Sequence, residues 1–137
     1  MKKLSAIFIT TALLVFAGGC LNVFRKTDPD VSKKSAEIRI GARELTENFM
    51  FDEDSANSRY LDKIILVEGV VNSIATKEEV ITVYLKNEED ISGVQCNFNP
   101  GSIDINSISN GQQIKVKGVC SGFLLDVVLN RCTLEKE

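Results

Sequence analysis

Apolar residues recur in five runs over the second half of the chain, and turn residues separate each run from the next. The runs are KIILVEGVVNSI, VITVYLK, ISGVQCNF, QQIKVKGVC and LLDVVLNRCTL. Short runs rich in β-branched residues and bounded by Gly, Asn, Asp or Pro are typical of strands. The pattern therefore predicts five strands. The stretch NPGSIDINSISNG between the third and fourth strands is long enough for one helical turn.

A helical pattern precedes the strands. An apolar stripe with spacings of four, three and four residues is formed by Ile38, Ala42, Leu45 and Phe49. These spacings fit a helix with a period of 3.6 residues, and Ser35 can cap its start. We therefore predict an amphipathic helix from about residue 35 to residue 50 that packs on the strands, with Tyr60 attaching it to them.

The order of the strands and the position of Gly69 indicate an OB-fold barrel. In this fold the first strand coils sharply to pair with two neighbours, and a glycine in the middle of the strand permits this. Phe98 shares the parity of Val94 and Cys96, so we expect it to point inward. The predicted fold is mainly β, with a five-stranded OB-like β-barrel preceded by an N-terminal amphipathic helix, in a domain that covers residues 35–137.

The first nineteen residues have the layout of an export signal. Lys2 and Lys3 precede the apolar run LSAIFITTALLVFA, and this run is shorter than the roughly 20 apolar residues of a membrane span. It ends in AGGC, which resembles the lipobox of bacterial lipoproteins, although Ala17 stands where that motif usually has Leu. The resemblance implies cleavage before Cys20 and attachment of lipid to Cys20, and two or more acyl chains give stable anchoring. The alternatives are an ordinary secretory signal cut near Gly19 or an uncleaved membrane anchor.

Residues 20–34 are predicted to be a lipidated cysteine followed by a flexible tether. The segment LNVFRKTDPDVSKK contains a proline, two aspartates and four basic residues, and it has no apolar period. The predicted location is the cell envelope, with the domain outside the cytoplasm and anchored to a membrane by its lipid. Leu21 is not an aspartate-type retention signal, so the periplasmic face of the outer membrane is favoured in a cell that has one.

The charge balance disfavours nucleic acid as a partner. Removing residues 1–19 also removes Lys2 and Lys3, which leaves 14 Lys and Arg against 19 Asp and Glu. Binding to phosphates depends on an excess of Lys and Arg. The mature domain is acidic instead, which keeps it soluble beside a negatively charged bilayer.

The sequence predicts no catalytic residues, no metal site and no cofactor. The chain has no histidine, so it lacks the commonest general base and metal ligand. The acidic run from Asn87 to Asp90 offers oxygen ligands for Ca²⁺ but lacks the alternating spacing and fixed glycine of a dedicated calcium loop. A hydrolase that uses carboxylates alone would need two inward-facing carboxylates in one cleft. We therefore expect a protein that is not an enzyme.

Three cysteines remain in the domain: Cys96, Cys120 and Cys132. Export would place them where disulfides persist, and their scattered spacing does not suit a metal. Cys96 lies on the third predicted strand and Cys132 on the fifth, and these strands are neighbours in an OB barrel. A Cys96–Cys132 disulfide is therefore our first expectation. A Cys120–Cys132 bond and three free buried thiols are the alternatives.

The segments YLDKIILVEGVV, QCNF, GQQIKVKG and CSGFLLDVVLNRC together resemble the tRNA anticodon-binding-like OB-fold family of bacterial lipoproteins. The resemblance covers residues 36–134, and it implies the fold and, by the family's name, nucleic-acid binding. Stacking of bases needs aromatic platforms beside a basic groove. From Tyr60 onward, however, the chain has seven Lys and Arg, eleven Asp and Glu, and four aromatic residues. Nucleic-acid binding is therefore only a remote alternative.

Two functional hypotheses remain. The first is a membrane-anchored OB-fold module that binds a protein, a glycan or a small molecule. The alternative is a structural or assembly lipoprotein that docks onto a larger cell-envelope complex. A polar concave face would favour ligand binding, and an exposed apolar patch would favour docking.

Overall fold

The structure, a computed structural model, describes residues 30–136. The predicted signal sequence, Cys20 and the first part of the predicted tether lie outside the described residues. Within residues 30–136, no helix combines the length and the apolar character that crossing a membrane requires.

The described chain consists of six strands, two helices and two single 3₁₀ turns. The strands are β1 (Ile38–Gly41), β2 (Ile64–Lys77), β3 (Val80–Leu85), β4 (Val94–Phe98), β5 (Gln113–Leu124) and β6 (Asp126–Leu134). The helices are α1 (Ala42–Phe51) and α2 (Glu53–Tyr60), and the 3₁₀ turns are Val31–Lys33 and Ile105–Ser107. The five predicted strands are confirmed as β2 to β6, and the turn predicted between the third and fourth is the second 3₁₀ turn.

Strands β2 to β6 close into a barrel. The sheet order is β1-β2-β3-β4-β6-β5, and β5 pairs back onto β2. The long strand β2 pairs with β5 along its first half and with β3 along its second half. Strand β4 runs parallel to β6, while the other barrel pairs are antiparallel. A five-stranded barrel whose first strand serves two neighbours is the predicted OB-like topology.

The predicted start of the helix at Ser35 is wrong. Residues 38–41 form the short strand β1, which pairs in parallel with residues 65–68 of β2. Ile38 and Ile40 pack against the core while Arg39 between them is exposed, which is a period of two rather than 3.6. Helix α1 begins only after Gly41, because the free edge of β2 first satisfies the backbone groups of residues 38–41.

Helices α1 and α2 cover one end of the barrel, which we call the capped end. The ring of Phe49 lies 5.9 Å from that of Tyr60 and 5.7 Å from that of Phe123 on β5. Tyr60 is fully buried, and its hydroxyl accepts a hydrogen bond of 2.9 Å from the side chain of Asn48. The prediction that Tyr60 attaches the helical segment to the barrel is confirmed.

The described part of the predicted tether lies against the barrel. Val31 is buried with Ile64 of β2 and Val119 of β5. The carbonyl oxygen of Ser32 accepts a hydrogen bond of 3.3 Å from Lys117. Val31 and Ser32 of the predicted tether therefore belong to the folded domain.

Candidate ligand-binding face

Polar side chains cover part of the outer surface of β3, β4 and β6, and β4 shows why, because its residues alternate strictly between inside and outside. Val94, Cys96 and Phe98 are fully buried inside the barrel, and so Gln95 and Asn97 of β4 point outward. The prediction that Phe98 points inward is confirmed. On β3, Thr82 pairs with Asn97 and Tyr84 pairs with Gln95. Two rows of outward-facing polar residues therefore cross the sheet.

Hydrogen bonds connect these side chains across four strands. Asn97 lies at the centre, where its amide oxygen accepts from the Thr82 hydroxyl at 2.9 Å and from the Gln95 amide at 3.2 Å. The Asn97 amide donates to the amide oxygen of Asn130 on β6 at 2.9 Å. Asn130 in turn donates to the hydroxyl of Ser121 on β5 at 2.7 Å. We call these five residues the amide ladder.

The amide ladder retains hydrogen-bonding capacity toward solvent. The Asn97 amide has two N–H groups, of which the ladder uses one, and each amide oxygen has two lone pairs. Thr82, Gln95, Asn97 and Asn130 are half-buried, so the ladder fixes their orientations while their outer atoms stay accessible. The ladder is therefore a preorganised set of neutral donors and acceptors.

An open groove of about 490 Å³ runs beside the ladder at the end of the barrel that is opposite to the capped end. Thr82, Asn97 and Asn130 line it together with Lys77 and Arg131 as its basic side chains. Glu78, at the β2–β3 turn, also lines the groove and offsets one of these two positive charges. The lining thus combines neutral amide and hydroxyl groups with two cations and one anion.

An exposed apolar cluster lies at the capped end. The β5–β6 hairpin turns at Leu124 and Leu125. Ile91 lies in the β3–β4 loop, and its neighbour Ser92 donates a hydrogen bond of 2.6 Å from its hydroxyl to the Leu125 carbonyl. This bond holds the loop next to the hairpin turn. The exposed fractions of Ile91, Leu124 and Leu125 are 88%, 82% and 87%. We call these three residues the apolar tip.

Comparison with protein families settles the relationship that the sequence resemblance implied. The model of the tRNA_anti-like family matches residues 1–134, nearly the whole chain. The chain belongs to the tRNA_anti-like family. The predicted resemblance to the anticodon-binding-like OB-fold family is therefore confirmed.

The tRNA_anti-like barrel also has a counterpart among solved structures. It is similar to the crystal structure of a "putative nucleic acid-binding lipoprotein" from Klebsiella pneumoniae subsp. pneumoniae, with a TM-score of 0.62 and 20% sequence identity. The similarity covers 72% of this chain and 92% of that chain. At this identity the likeness shows the fold alone. The comparison with curated proteins found no match.

Two of the three cysteines of the tRNA_anti-like domain lie together beneath the amide ladder. Strands β4 and β6 are neighbours, as predicted, and the Cys132 thiol donates to the Leu129 carbonyl at 3.5 Å. Burial raises the pKa of Cys96 well above its ordinary value of 9.0, and Cys132 raises it further. Cys120 lies on β5, where burial raises the pKa of its thiol as well. All three thiols are free and buried in the structure, and the Cys96–Cys132 disulfide stays a prediction.

We expect thiol counting to identify this disulfide. The exported chain, purified without reductant and denatured, should show one reactive thiol among Cys96, Cys120 and Cys132, and three after reduction. The two cysteines lie on neighbouring strands, which is where a disulfide between strands can form. The Cys120→Ala variant is the control, because it should then show no reactive thiol. Two reactive thiols in that variant would instead indicate that Cys120 pairs with Cys132 or that all three cysteines are free.

The loop that carries Ile91 is held against α1 by an ion pair. The Nε atom of Arg43 lies 2.7 Å from the Asp90 carboxylate, which also accepts hydrogen bonds from Asn87. Partial burial acts to raise the pKa of Asp90. The hydrogen bonds from Asn87 and the charge of Arg43 outweigh burial, so that this pKa lies below its ordinary value of 3.8. Asp90 of the acidic run thus stabilises the loop, and no group of three or more candidate metal ligands is present in residues 30–136.

The Asp90→Asn variant is expected to lose stability at neutral pH and not in strong acid. Because the folded state lowers the pKa of Asp90, its stabilisation is fully present above pH 3.8 and disappears as the pH falls through the lowered value. At pH 7 we expect the free energy of unfolding to fall by about 0.5–1 kcal/mol. Urea denaturation over a pH series measures this, with Glu88→Gln as the control. An equal loss for Asp90→Asn at pH 7 and in strong acid would contradict the electrostatic explanation.

Sequence reasoning did not identify the members of the amide ladder. The period of two that placed Cys96 and Phe98 inside the barrel also places Gln95 and Asn97 outside. The sequence pattern of β4 could therefore have identified these two members of the ladder. Asn130 was harder to identify, because residues 127–129 before it are all apolar and show no alternation in the sequence. In the structure Val127 and Leu129 are buried, and the same period of two places Asn130 outside.

Proposed function

We propose that this chain is an exported, lipid-anchored binding module of the cell envelope, and that its amide ladder binds a neutral glycan. The observation that carries the proposal is the hydrogen-bonded row of neutral amide and hydroxyl groups across β3, β4, β6 and β5. OB-fold strands and loops bind oligosaccharides as well as oligonucleotides, so the fold is compatible with this ligand class.

The chemistry of the face favours a sugar over a nucleic acid. Sugar hydroxyls both donate and accept hydrogen bonds, and they match amide groups that present both functions. Tyr84 lies next to Gln95 in the adjacent row and offers an aromatic surface for the C–H face of a sugar ring. A bound nucleic acid would place several phosphates on a groove whose basic lining is Lys77 and Arg131 alone.

Binding without catalysis is part of the proposal. The groove is lined by amides, one hydroxyl, two cations and apolar groups, with Glu78 as its carboxylate. A hydrolase based on carboxylates would require a pair of them about 5–9 Å apart across the substrate. The described groove does not supply this pair.

The AGGC motif at Cys20 and membership of the tRNA_anti-like family, whose model matches from residue 1, support the lipid anchor. The Klebsiella protein with a similar fold is named as a lipoprotein, which is consistent with it. Intact mass and membrane fractionation of the wild type and of Cys20→Ala test the anchor. We expect a wild type that carries acyl chains and sediments with membranes, and a variant that does neither. Equal partitioning of both proteins would contradict the anchor.

A panel of neutral oligosaccharides tests the ligand class. We expect binding that falls about tenfold in Asn97→Ala and in Asn130→Ala, because each variant removes one or two hydrogen bonds to the ligand. Gln113→Ala is the matched control, since Gln113 donates to Glu68 on another side of the barrel. If the chain bound single-stranded oligonucleotides instead, and lost them in Lys77→Ala and Arg131→Ala, the glycan assignment would be wrong.

A further inference from the structure

We propose that the apolar tip inserts into the bilayer that holds the lipid of Cys20, so that the domain rests on the membrane by its capped end. This inference rests on the proposed lipid anchor and goes beyond it, because an anchor alone leaves the orientation of the domain free. The occupant of the tip is the interfacial layer of the bilayer, where phospholipid headgroups meet acyl chains.

Hydrogen bonds hold the apolar tip in a fixed position. The Gly93 N–H donates to the Asp126 carboxylate at 2.8 Å, and the Val127 N–H donates to the Gly93 carbonyl at 3.0 Å. Together with the bond from Ser92 to Leu125, these contacts fasten the β3–β4 loop to the β5–β6 hairpin. Three large aliphatic side chains therefore project from one fixed base.

The residue types at the tip run against local preference. Leu125 has a φ of 65°, in the left-handed region where Gly, Asn and Asp are favoured and a bulky side chain is strained. A turn of this kind normally carries small polar residues. A leucine that is 87% exposed in such a position gains nothing from the barrel, and burial of its side chain elsewhere would compensate for the strain.

The position of the tether brings the tip within reach of the membrane. The described chain begins at Asp30, and Val31 packs on Val119 of β5. From Val119 to Leu124 the strand advances about 17 Å toward the capped end, at roughly 3.4 Å per residue. The ten residues from Cys20 to Asp30 span at most about 33–36 Å when fully extended. An anchor at Cys20 therefore keeps the tip close to the same bilayer, at a high effective concentration.

The charges around the tip favour insertion of apolar groups over attraction to anionic lipid. Glu88 and Glu89 are exposed in the same loop as Ile91, while Lys86 donates to the Ile91 carbonyl at 3.4 Å. Attraction to anionic headgroups would require an excess of basic residues. We therefore expect insertion into vesicles of zwitterionic phosphatidylcholine, with little dependence on salt.

This orientation leaves the amide ladder accessible. The Thr82–Asn97 pair lies three residues along β3 and β4 from the Leu85–Val94 pair at the capped end. The groove beside the ladder is near the β2–β3 turn, at the opposite end of the barrel. A domain that rests on its tip would present the groove away from the lipid.

A tryptophan placed at the tip tests the inference, because the chain has no tryptophan of its own. The full acylated chain carrying Leu124→Trp is reconstituted into phosphatidylcholine vesicles, alone or with lipids brominated on their acyl chains. We expect a blue-shifted emission that the brominated lipids quench. Ile105→Trp is the matched control, because Ile105 is an exposed apolar residue on the β4–β5 loop. This loop connects the end of β4 to the start of β5, whereas the apolar tip lies at the start of β4 and the end of β5. The emission of Ile105→Trp should be neither shifted nor quenched.

A second substitution protects the test against misfolding. Leu125→Asn in the Leu124→Trp background makes the tip more polar and suits the left-handed backbone, so we expect quenching to fall at least about twofold while the fold is retained. Flotation of the vesicles shows whether the protein is bound to them. Protein that floats with the vesicles, but whose tryptophan at position 124 is not quenched, would overturn insertion and leave the anchor standing. Failure of both Trp variants to float would overturn the anchor and insertion together. A blue shift without quenching would also overturn insertion, because the tip would then be covered by protein rather than by lipid.

Discussion

Replacing Tyr60 with alanine is expected to lower the free energy of unfolding by about 3–5 kcal/mol, the range for large aromatic residues removed from a core. The ring of Tyr60 is fully buried between α2 and the barrel, 5.9 Å from the ring of Phe49. Its removal leaves a cavity at the point where both helices meet the capped end. Urea denaturation monitored by circular dichroism measures the loss.

Tyr60→Phe separates the ring from its hydroxyl. This variant keeps the packing and loses the 2.9 Å hydrogen bond from Asn48, so we expect a loss of about 1 kcal/mol. If Tyr60→Ala cost no more than Tyr60→Phe, the ring would not be what attaches the helices to the barrel.

Replacing Gly69 with alanine is expected to lower the free energy of unfolding by about 1–3 kcal/mol through overpacking. A Cβ atom at position 69 would lie 2.8 Å from the Cβ of Ala42 and 3.1 Å from the Cβ of Leu85. Neither atom is the flexible end of a long side chain, so α1 would have to move away from β2. Gly69 is thus required for the close approach of the helix, besides allowing β2 to coil.

Gly41→Ala is the control for this clash, since a Cβ atom at position 41 meets nothing within 4 Å. A double-mutant cycle adds the decisive comparison: Ala42→Gly removes the nearest atom and should recover part of the loss caused by Gly69→Ala. The two substitutions would then couple by more than about 0.5 kcal/mol. Strictly additive effects would show that contact between positions 42 and 69 is not the cause.

The proposed lipid anchor, the apolar tip and the amide ladder are compatible with a single orientation of the domain at the bilayer. We propose that the lipid at Cys20 holds the domain at the bilayer, that the apolar tip fixes its orientation, and that the ladder faces outward to bind a glycan. The polar face favours the ligand-binding hypothesis drawn from the sequence. An exposed apolar patch was expected to favour docking onto a cell-envelope complex, and we propose the membrane instead as the surface that the apolar tip contacts.

The sequence alone predicted the barrel strands well because their information is local. Each strand carries β-branched residues with a period of two and is bounded by turn residues, so β2 to β6 could be identified without knowledge of their partners. The same period placed Phe98 inside the barrel. The fold class then followed from the strand order together with Gly69.

The tertiary structure decided the features that depend on partners distant in sequence. Residues 38–41 carry a pattern that suits both a helix and a strand, and only the free edge of β2 selects the strand. Leu124 and Leu125 began the fifth predicted strand in the sequence, yet the tight turn between β5 and β6 leaves both side chains exposed. The hydrogen bond between Asn97 and Asn130 joins residues 33 positions apart, and no local pattern specifies such a contact.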